Sequence, residues 1–465
     1  MKKLKLSIFI LVLCFILIGT FSLTNCNTAT TSTAAAETTK AAETTKAAET
    51  TAAAETTSGK KITIRYAHAF SPATAFGTDY SKILEEWAKQ YPNLELIQEI
   101  TPGIEAKDKI NSQAAGGNLP DVFDFWGSSF IRDMATAGLL LDANEYLKVS
   151  KIKKEDIPKY AWDHFTIDGK PYGIPTGGFL GFMGYNKDIF AKYNLQPPKT
   201  YEELVEVGKV LIENGITPTN IASKGGNPGH FWFSDLFVRM PNGAEELLGI
   251  KESWKFNTDN ALNVAKLILQ QKKDGLFPKD TIANGDWDPS VAIYDEGKTG
   301  MVYTYQWSIP SMKKTFDKTV LMDIPKMPGS AADPATIEMG GCNYGTIINA
   351  KSWADPEKNA LMVALLDFVF TTARVYLAET GTELPVSTAT VAAMDNSKVN
   401  PLLASVLAYS QGRTLVTDHW DMWPSTESSA TWASELDLLF SGNDTAEDFV
   451  KNVQKSLDDA KASGK

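Results

Sequence analysis

Segments of strand character and helix character alternate early in the chain, and this alternation limits the possible fold more than any other feature. Residues 62–66 alternate apolar and polar side chains, and 94–100 and 121–126 are further short strand-like runs. The stretches between them, 78–91 and 104–115, carry apolar residues at helical spacing. Strands separated by helices of this length form βαβ units with a parallel sheet, so we predict the α/β class.

Capping residues mark three later helix starts. Thr200 and Glu203 match a capping box, and Asp288 and Asp355 each precede a proline that suits the first helical position. Gly297 follows the predicted end of one of these helices, where glycine is favoured. The strand and helix pattern therefore continues well beyond the first three strands.

Length and charge narrow the class of protein. The chain has 465 residues, more than one ordinary domain of roughly 150 residues needs. Hydrophobic residues make up 43% and charged residues 22%, which excludes a polytopic membrane protein and a wholly disordered chain. The net charge is −11, and loss of residues 1–25, with three lysines and no acid, would make it −14. This acidity argues against nucleic acid as a partner.

Residues 1–25 have the pattern of an export signal. Three lysines precede an apolar run over 6–21, which is short for a membrane span. Leu-Thr-Asn-Cys at 23–26 resembles a bacterial lipobox, in which the cysteine is lipidated and becomes the mature N-terminus. We therefore predict a lipoprotein signal peptide and lipidation of Cys26. The alternative is an ordinary signal peptide followed by a chance cysteine.

The next segment, 26–59, is predicted to be a disordered tether. Ala-Ala-Glu-Thr-Thr-Lys occurs at 35–40 and again at 41–46, and no aromatic or large aliphatic residue occurs in 27–58. Such a composition cannot bury enough apolar surface to fold. A lipid at one end of this tether would hold the folded body, which begins near Lys60, close to a membrane without inserting it.

Cysteine and histidine usage predicts no metal site and no cofactor. Cys14 lies in the apolar run, Cys26 follows it, and Cys342 is the single cysteine of the folded body. These positions build no internal disulfide framework, and four histidines leave little for a zinc site. We expect Cys342 to be a small buried residue rather than a nucleophile.

Catalytic patterns are weak as well. No Gly-x-Ser-x-Gly elbow occurs, and glycoside hydrolysis needs two carboxylates that face each other across a cleft. Asp286 and Asp288 are the most suggestive pair, but the proline after Asp288 favours a helix N-cap at that position. We therefore expect a protein that is not an enzyme.

Aromatic and polar residues follow several predicted strands. Ligands of open parallel sheets meet the carboxyl ends of the strands, so such residues are expected to line a cleft. Taken singly, each ring could equally belong to the core. The candidate ligand-binding residues are His68, Phe70, Asp124, Trp126, Gly178, Phe231, Trp232, Tyr305, Trp307, Gly341, Asn343 and Trp423.

Five short motifs occur in order along the predicted folded body. They are Gly-Gly-Asn-Leu-Pro-Asp-Val at 116–122, Gly-Ile-Pro at 173–175, Gly-Tyr-Asn-Lys-Asp-Ile-Phe at 184–190, Pro-Lys-Thr-Tyr-Glu-Glu-Leu at 198–204, and Gly-Lys-Thr-Gly-Met at 297–301 with Trp307 after it. Together they resemble the family 1 extracellular solute-binding proteins, the maltose-binding-like carbohydrate receptors of ABC importers. The resemblance runs from about residue 60 to 465.

The resemblance implies a periplasmic-binding-protein-like fold: two α/β lobes around a ligand cleft, joined by hinge crossings. We place these crossings near 175–179 and 321–325. The implied division is 60–176 and 323–395 for lobe 1, with 177–322 and a C-terminal helical part, 396–465, for lobe 2.

The resemblance also implies roles for some of the rings. Trp307 matches a tryptophan that stacks on sugar, Trp126 lies in a ring-bearing loop, and Phe231 and Trp232 match a ligand-contacting aromatic of the second lobe. A sugar has an apolar C–H face and a rim of hydroxyls, which suits flat rings with polar groups at their edges. The predicted platforms are Trp126, Trp232 and Trp307, and the predicted polar partners are Asp124, Gln306 and Asn343.

The predicted function is that of a monomeric receptor, lipid-anchored on the outer face of a bacterial membrane. It would bind a sugar or oligosaccharide by domain closure and deliver it to the permease subunits of an ABC importer. Two alternatives stay open: a receptor of the same fold for a polyamine or another small polar solute, and a surface glycan-degrading enzyme.

Overall fold

The structure is a computed structural model that describes residues 60–72, 75–102, 105–417 and 423–463. The predicted signal peptide, the lipidation site Cys26 and the predicted tether lie outside the described residues. The strands are β1 (Ile62–His68), β2 (Leu94–Ile100), β3 (Val122–Trp126), β4 (Thr166–Ile167), β5 (Lys170–Pro171), β6 (Ile174–Asn186), β7 (Met301–Tyr305), β8 (Thr319–Met322), β9 (Ile337–Ile348), β10 (Leu384–Pro385) and β11 (Thr414–Val416).

Helices fill most of the chain between the strands. They are α1 (Ala75–Ala88), α2 (Glu105–Ala115), α3 (Ser129–Thr136), α4 (Ala143–Leu147), α5 (Lys159–His164), α6 (Lys187–Lys192), α7 (Tyr201–Glu213), α8 (Gly229–Val238), α9 (Gly243–Leu248), α10 (Ile250–Ser253), α11 (Asp259–Lys273), α12 (Trp287–Asp295), α13 (Ala350–Trp353), α14 (Pro356–Phe368), α15 (Arg374–Thr380), α16 (Thr388–Ala393), α17 (Pro401–Tyr409), α18 (Thr426–Ser441) and α19 (Ala446–Ala462). Short 3₁₀ turns occupy Lys154–Asp156, Gln306–Ser311 and Asn396–Lys398, and a π turn occupies Val369–Ala373.

Within the described residues, nine of the strands form one mixed sheet. β1 lies between β2 and β3 and is parallel to both, as the sequence predicts for a βαβ start. β9 then adds antiparallel to β3, so the predicted parallel sheet is confirmed only for the first three strands. β9 arrives from a distant part of the chain rather than through a helical crossover, and its direction is therefore not restricted in the same way.

Two long strands, β6 and β9, connect β1, β2 and β3 to the other strands of the sheet. The first half of β6 pairs with β9 and β10, and its second half pairs with β7 and β8. Where β6 and β9 pass, a Cβ added at Gly177 would lie 2.3 Å from Oε1 of Glu383. One added at Gly178 would lie 3.0 Å from the Gly341 carbonyl oxygen. The glycines thus allow a close approach that a larger residue would prevent.

Buried side chains form two large cores. The first core packs around Tyr66, Phe123, Ile347 and Leu366, and the second around Met183, Phe233, Tyr303, Trp432 and Phe449. A smaller third cluster covers the other face of β6 and β7. Both strands are therefore buried on two faces, which explains why they are almost wholly apolar in sequence.

Two of the three predicted helix caps are confirmed. Thr200 accepts a hydrogen bond from the Glu203 amide at 3.3 Å, and Asp355 accepts one from the Glu357 amide at 3.0 Å. The prediction for Asp288 is wrong, because Asp286 is the N-cap of α12 and Asp288 lies in its first turn. A proline is tolerated throughout the first turn, where amides have no intrahelical partner, so it locates a helix start only approximately.

One described helical stretch, Pro356–Thr380, is long and apolar enough to cross a membrane by length and composition. Its side chains Leu365, Leu366, Phe370 and Leu377 belong to the first core. The stretch is therefore a core helix of the folded body.

Candidate ligand-binding cleft

A cavity of about 370 Å³ lies beside the point where β6 and β9 pass each other. Gly178 of β6 and Asn343 of β9 contribute to its floor, and side chains packed on both large cores form its walls. Its volume lies within the range of roughly 300–1,000 Å³ that is usual for small-molecule sites.

One wall is an aromatic cluster that packs on the second core. The Trp307 ring stacks on Tyr305 with centroids 4.8 Å apart and an interplanar angle of 12°. The Trp287 ring stands nearly perpendicular to Trp307, at 5.2 Å and 85°. Phe231 of α8 lies 5.9 Å from Trp307 and 5.4 Å from Trp287. We call Trp287 and Trp307 the tryptophan corner.

The segment that carries Trp307 is tied to the strand crossing. Gln306 accepts a hydrogen bond from the Leu180 amide at 2.8 Å and donates one to the Gly178 carbonyl at 3.3 Å. Its side chain is thus occupied by the backbone of β6, although the sequence suggested it as a sugar partner. Thr304 donates to the Ser308 hydroxyl at 2.8 Å, which fixes the turn around Trp307 further.

A second wall, packed on the first core, is built around Trp126, the last residue of β3. Tyr344 of β9 meets its ring edge-on at 5.1 Å. The Lys107 ammonium lies 4.6 Å from the Trp126 ring centroid and 3.8 Å from that of Phe130. Both distances suit cation–π contacts, so the lysine helps to hold this wall in place.

The structure brings half of the predicted ligand-binding residues together in this cavity. These residues include rings from both walls, one glycine of β6 and one amide side chain of β9. The six lining residues are Phe70, Trp126, Gly178, Phe231, Trp307 and Asn343.

Three further predicted residues lie behind the lining. His68 is buried and its Nε2 lies 3.1 Å from Oε1 of Gln98, and burial lowers the pKa of its imidazole to about 4. Tyr305 is the ring beneath Trp307. At Gly341, an added Cβ would lie 2.6 Å from the Thr417 hydroxyl oxygen, so this glycine permits packing around the crossing.

Asp124 is held in a buried charge network instead of facing the cavity. Its Oδ2 lies 2.7 Å from Nη2 of Arg374 and accepts a hydrogen bond from Tyr66 at 2.7 Å. Thr346 donates to Oδ1 at 2.6 Å. Arg374 also contacts Glu383 at 2.6 Å. The carboxylate at 124 is therefore fully used within the first core.

The remaining two predicted rings belong to the second core. Trp232 is 1% exposed and donates its indole N–H to Gln271 at 2.9 Å. Trp423 is 1% exposed and stacks on Trp432, with centroids 5.1 Å apart. Both tryptophans are therefore core residues, which was the alternative for each ring taken singly. Cys342 is buried in the first core, as predicted.

A second buried charge cluster lies under α8. Arg239 contacts Asp235 at 2.6 Å and Glu338 of β9 at 3.6 Å, and it donates to the Ile337 carbonyl at 2.9 Å. The Tyr303 hydroxyl hydrogen-bonds to Asp235. Burial, followed by the charge of Asp235, raises the pKa of the Glu338 carboxyl from 4.5 to about 8.

Several lining residues were missed by sequence reasoning. Asn227, Trp287 and Lys107 were not predicted as ligand-binding residues, and the sequence pattern indicated only a possible catalytic pair at Asp286 and Asp288 or a helix cap at Asp288. A signal was present for one of them, because a tryptophan between two aspartates at a helix start is suited to a polar site with an aromatic face. Lys107 gave none, since it is one lysine of an ordinary amphipathic helix.

Comparison with known sequences identifies a protein family. The model of the family described as bacterial extracellular solute-binding protein matches residues 71–374. An uncharacterized ABC transporter extracellular-binding protein of Pyrococcus horikoshii is 30% identical over 128 residues, which is 27% of this chain and 29% of that protein. The multiple sugar-binding protein of Streptococcus mutans is 22% identical over 266 residues, 55% of this chain and 59% of that protein.

Solved structures share the fold over most of the chain. A structure from work on xylan utilization by Caldanaerobius polysaccharolyticus matches with a TM-score of 0.75 and 22% identity, covering 85% of this chain and 99% of that one. A chitin oligosaccharide binding protein matches with a TM-score of 0.76 and 21% identity, covering 86% and 100%. Maltose-bound MalE3 of T. maritima matches at 0.68 and 19%, covering 85% and 99%. These matches confirm the predicted two-lobe fold with a cleft.

Proposed function

The chain belongs to the bacterial extracellular solute-binding proteins, and we propose that it binds a sugar or oligosaccharide and delivers it to an ABC importer. The observation that carries this proposal is that one cavity is lined by Trp126, which packs on the first core, and by the tryptophan corner, which packs on the second core. Flat indole rings suit the C–H faces of sugar rings, and the amides of Asn227 and Asn343 suit their hydroxyls. The names of the sugar-binding relatives agree with this ligand class.

Proteins of this family act outside the cytoplasm, and we propose that a lipid anchor holds this chain there. Cleavage before Cys26 and lipidation of its thiol would leave the folded body on a tether of about 30 residues. The receptor then works as a monomer beside the permease subunits in the same membrane. Its relatives are receptors, and we propose that this chain likewise has no glycan-cleaving activity.

The binding step is closure of the two lobes. The first crossing, predicted near 175–179, falls in β6. Residues 324–339 contribute Ile324, Met327 and Met339 to the second core, whereas Cys342 belongs to the first core. We therefore propose that the return crossing is in β9, later than the 321–325 position taken from the resemblance. Hinge strands absorb the backbone rotation while the cores move as rigid bodies.

A thermal-shift panel followed by small-angle scattering tests this function. Purified folded body, residues 60–465, is heated with mono- and oligosaccharides, and a ligand at 100 times its dissociation constant should add roughly 2.7 kcal/mol to the unfolding free energy. The stabilising sugar should then reduce the radius of gyration. Release of reducing ends from that sugar would instead indicate the glycan-degrading alternative.

A further inference from the structure

Two aspartates flank one residue of the tryptophan corner in the sequence. Asp286 and Asp288 stand on either side of Trp287 at the start of α12, and all three line the cavity. Asp286 uses Oδ1 to accept a hydrogen bond from the Trp287 amide at 2.8 Å. Within the described residues the Asp288 carboxylate makes no hydrogen bond, and neither aspartate makes an ion pair. Asp286 also caps the N-terminal end of α12, and the two residues line the cavity as an acidic pair.

An unpaired amide lies next to this pair. Asn227 is 9% exposed and lines the cavity, and its backbone carbonyl accepts a hydrogen bond from the Asp286 amide at 3.0 Å. Its side-chain amide has no hydrogen-bond partner among the described residues. Because Asn227 lines the cavity, this amide is available to hydrogen-bond to a ligand or to water. The polar face of the corner is therefore built to meet a ligand group.

The charge around the cavity is strongly one-sided. Glu105, Asp286 and Asp288 line it without an ion pair in the described part of the chain, and Glu383 is paired with Arg374. Lys107 is the one lysine or arginine among the described lining residues, and its ammonium sits against the rings of Trp126 and Phe130. Burial, and after it the charge of Asp286, raises the pKa of the Asp288 carboxyl.

When the cleft closes, the excess of negative charge on the lining residues becomes unfavourable unless the ligand offsets it. A neutral ligand would leave Asp286 and Asp288 adjacent, less hydrated and without a counter-charge, which is unfavourable. A protonated amine would offset both charges, accept the indole faces as cation–π partners and donate charge-assisted hydrogen bonds to the carboxylates. The chain's net charge of −11 would also favour approach of a cation.

We propose that Asp286, Asp288 and Asn227, with the tryptophan corner, form a subsite for a protonated amino group carried by the ligand. This inference rests on the proposed sugar-binding function and narrows it to amino sugars with a free amine. A linear polyamine carries the same group, and the experiment separates the two sources.

The test compares ligands that differ only in the charge of the amine. Full-length protein in detergent is titrated by calorimetry with chitosan oligosaccharides, with their N-acetylated counterparts of equal length, and with spermidine. Hydrogen bonds to a charged group are worth about 1.5–3 kcal/mol, so we expect the free-amine oligosaccharides to bind about ten- to a hundredfold more tightly than the acetylated ones. The preference should shrink as the salt concentration rises.

Two variants assign the preference to this subsite. Asp288→Asn should remove most of it, and Asp286→Asn should weaken it while keeping the helix cap, because asparagine caps a helix as well as aspartate. Glu296→Gln, an exposed acid at the other end of α12 paired with Lys298, is the matched control and should change nothing.

The possible results distinguish the amine subsite from the sugar-binding function. Equal affinity for free and acetylated oligosaccharides, or a preference that survives Asp288→Asn in a folded protein, would overturn the amine subsite and leave the sugar receptor intact. Binding of spermidine with no binding of any oligosaccharide would support the amine subsite and contradict the sugar function. Failure of both amine ligands to bind would overturn the inference.

Discussion

The indole ring of Trp307 lies parallel to the phenol ring of Tyr305, with centroids 4.8 Å apart and 12° between the planes. Tyr305 is fully buried, whereas Trp307 is only partly so and lines the cavity. The tyrosine thus supports one face of the tryptophan and leaves ring surface toward the cleft. This arrangement distinguishes Trp307 from the tryptophans that are enclosed by the second core.

Trp307→Ala and Trp232→Ala should differ sharply in stability. Trp232 is surrounded by the second core, so its truncation should lower the unfolding free energy by roughly 3–5 kcal/mol. Trp307 is only partly buried, and its loss should cost clearly less. Denaturant melts of the two variants measure the difference, and an equal loss for both would place Trp307 in the core.

Asp124→Ala should act on stability and not on ligand affinity. The change breaks a buried ion pair and removes the acceptor for Tyr66 and Thr346, which should cost about 3–5 kcal/mol. Asp163→Ala, which breaks an exposed pair with Lys159, should cost about 1 kcal/mol or less. A small stability loss with a large affinity loss would return Asp124 to the ligand site.

Glu338→Gln should change the pH dependence of stability. The pKa of Glu338 is raised in the folded state, so its protonated form is favoured, and its contribution is lost as pH rises from about 4.5 toward 8. Glutamine imitates the protonated form. The variant should therefore gain stability over the wild type as pH rises through this window, on the order of a few kcal/mol.

The measurement for this prediction is a series of denaturant melts between pH 5 and 8.5. The exposed substitution Glu206→Gln is the control and should show no such trend. A constant difference between Glu338→Gln and the wild type would mean that this carboxyl titrates outside the range.

Cys26→Ser should abolish the proposed lipidation and release the protein from the membrane without unfolding it, because the cysteine precedes the predicted tether and the folded body is predicted to begin near Lys60. Labelled palmitate and membrane fractionation check this in cells that express the wild type and the variant. Continued incorporation of label by Cys26→Ser would contradict the proposed anchor.

The start of the fold was predictable because its signals are local. Alternating side chains give β1 and β2, and β2 spans 94–100 as predicted. The crossing of β6 and β9 was not, since Gly177 and Gly178 of β6 are explained by Glu383 and by Gly341 of β9, which approach from more than 150 residues away. A strand defined by distant partners leaves little local pattern.

The candidate site shows the same limit. Sequence places Phe231 and Trp232 side by side, but adjacent helical residues point about 100° apart, and only the packed structure shows that Phe231 faces the cavity. Asp124 precedes Trp126 on β3 and looked equally available. Its partner Arg374 lies 250 positions later, so a single sequence could not indicate that the carboxylate is already used.

The most direct test of a sugar site in this cleft is calorimetric titration of the wild type and of Trp307→Ala with the sugar that the thermal-shift panel identifies. Loss of a stacked ring should weaken binding by about 1–3 kcal/mol, or roughly ten- to a hundredfold in dissociation constant. The wild type should bind one ligand per chain, and the folded variant should bind at that reduced affinity. Unchanged affinity in Trp307→Ala, or no saturable binding of any carbohydrate by the wild type, would contradict a sugar site in this cleft.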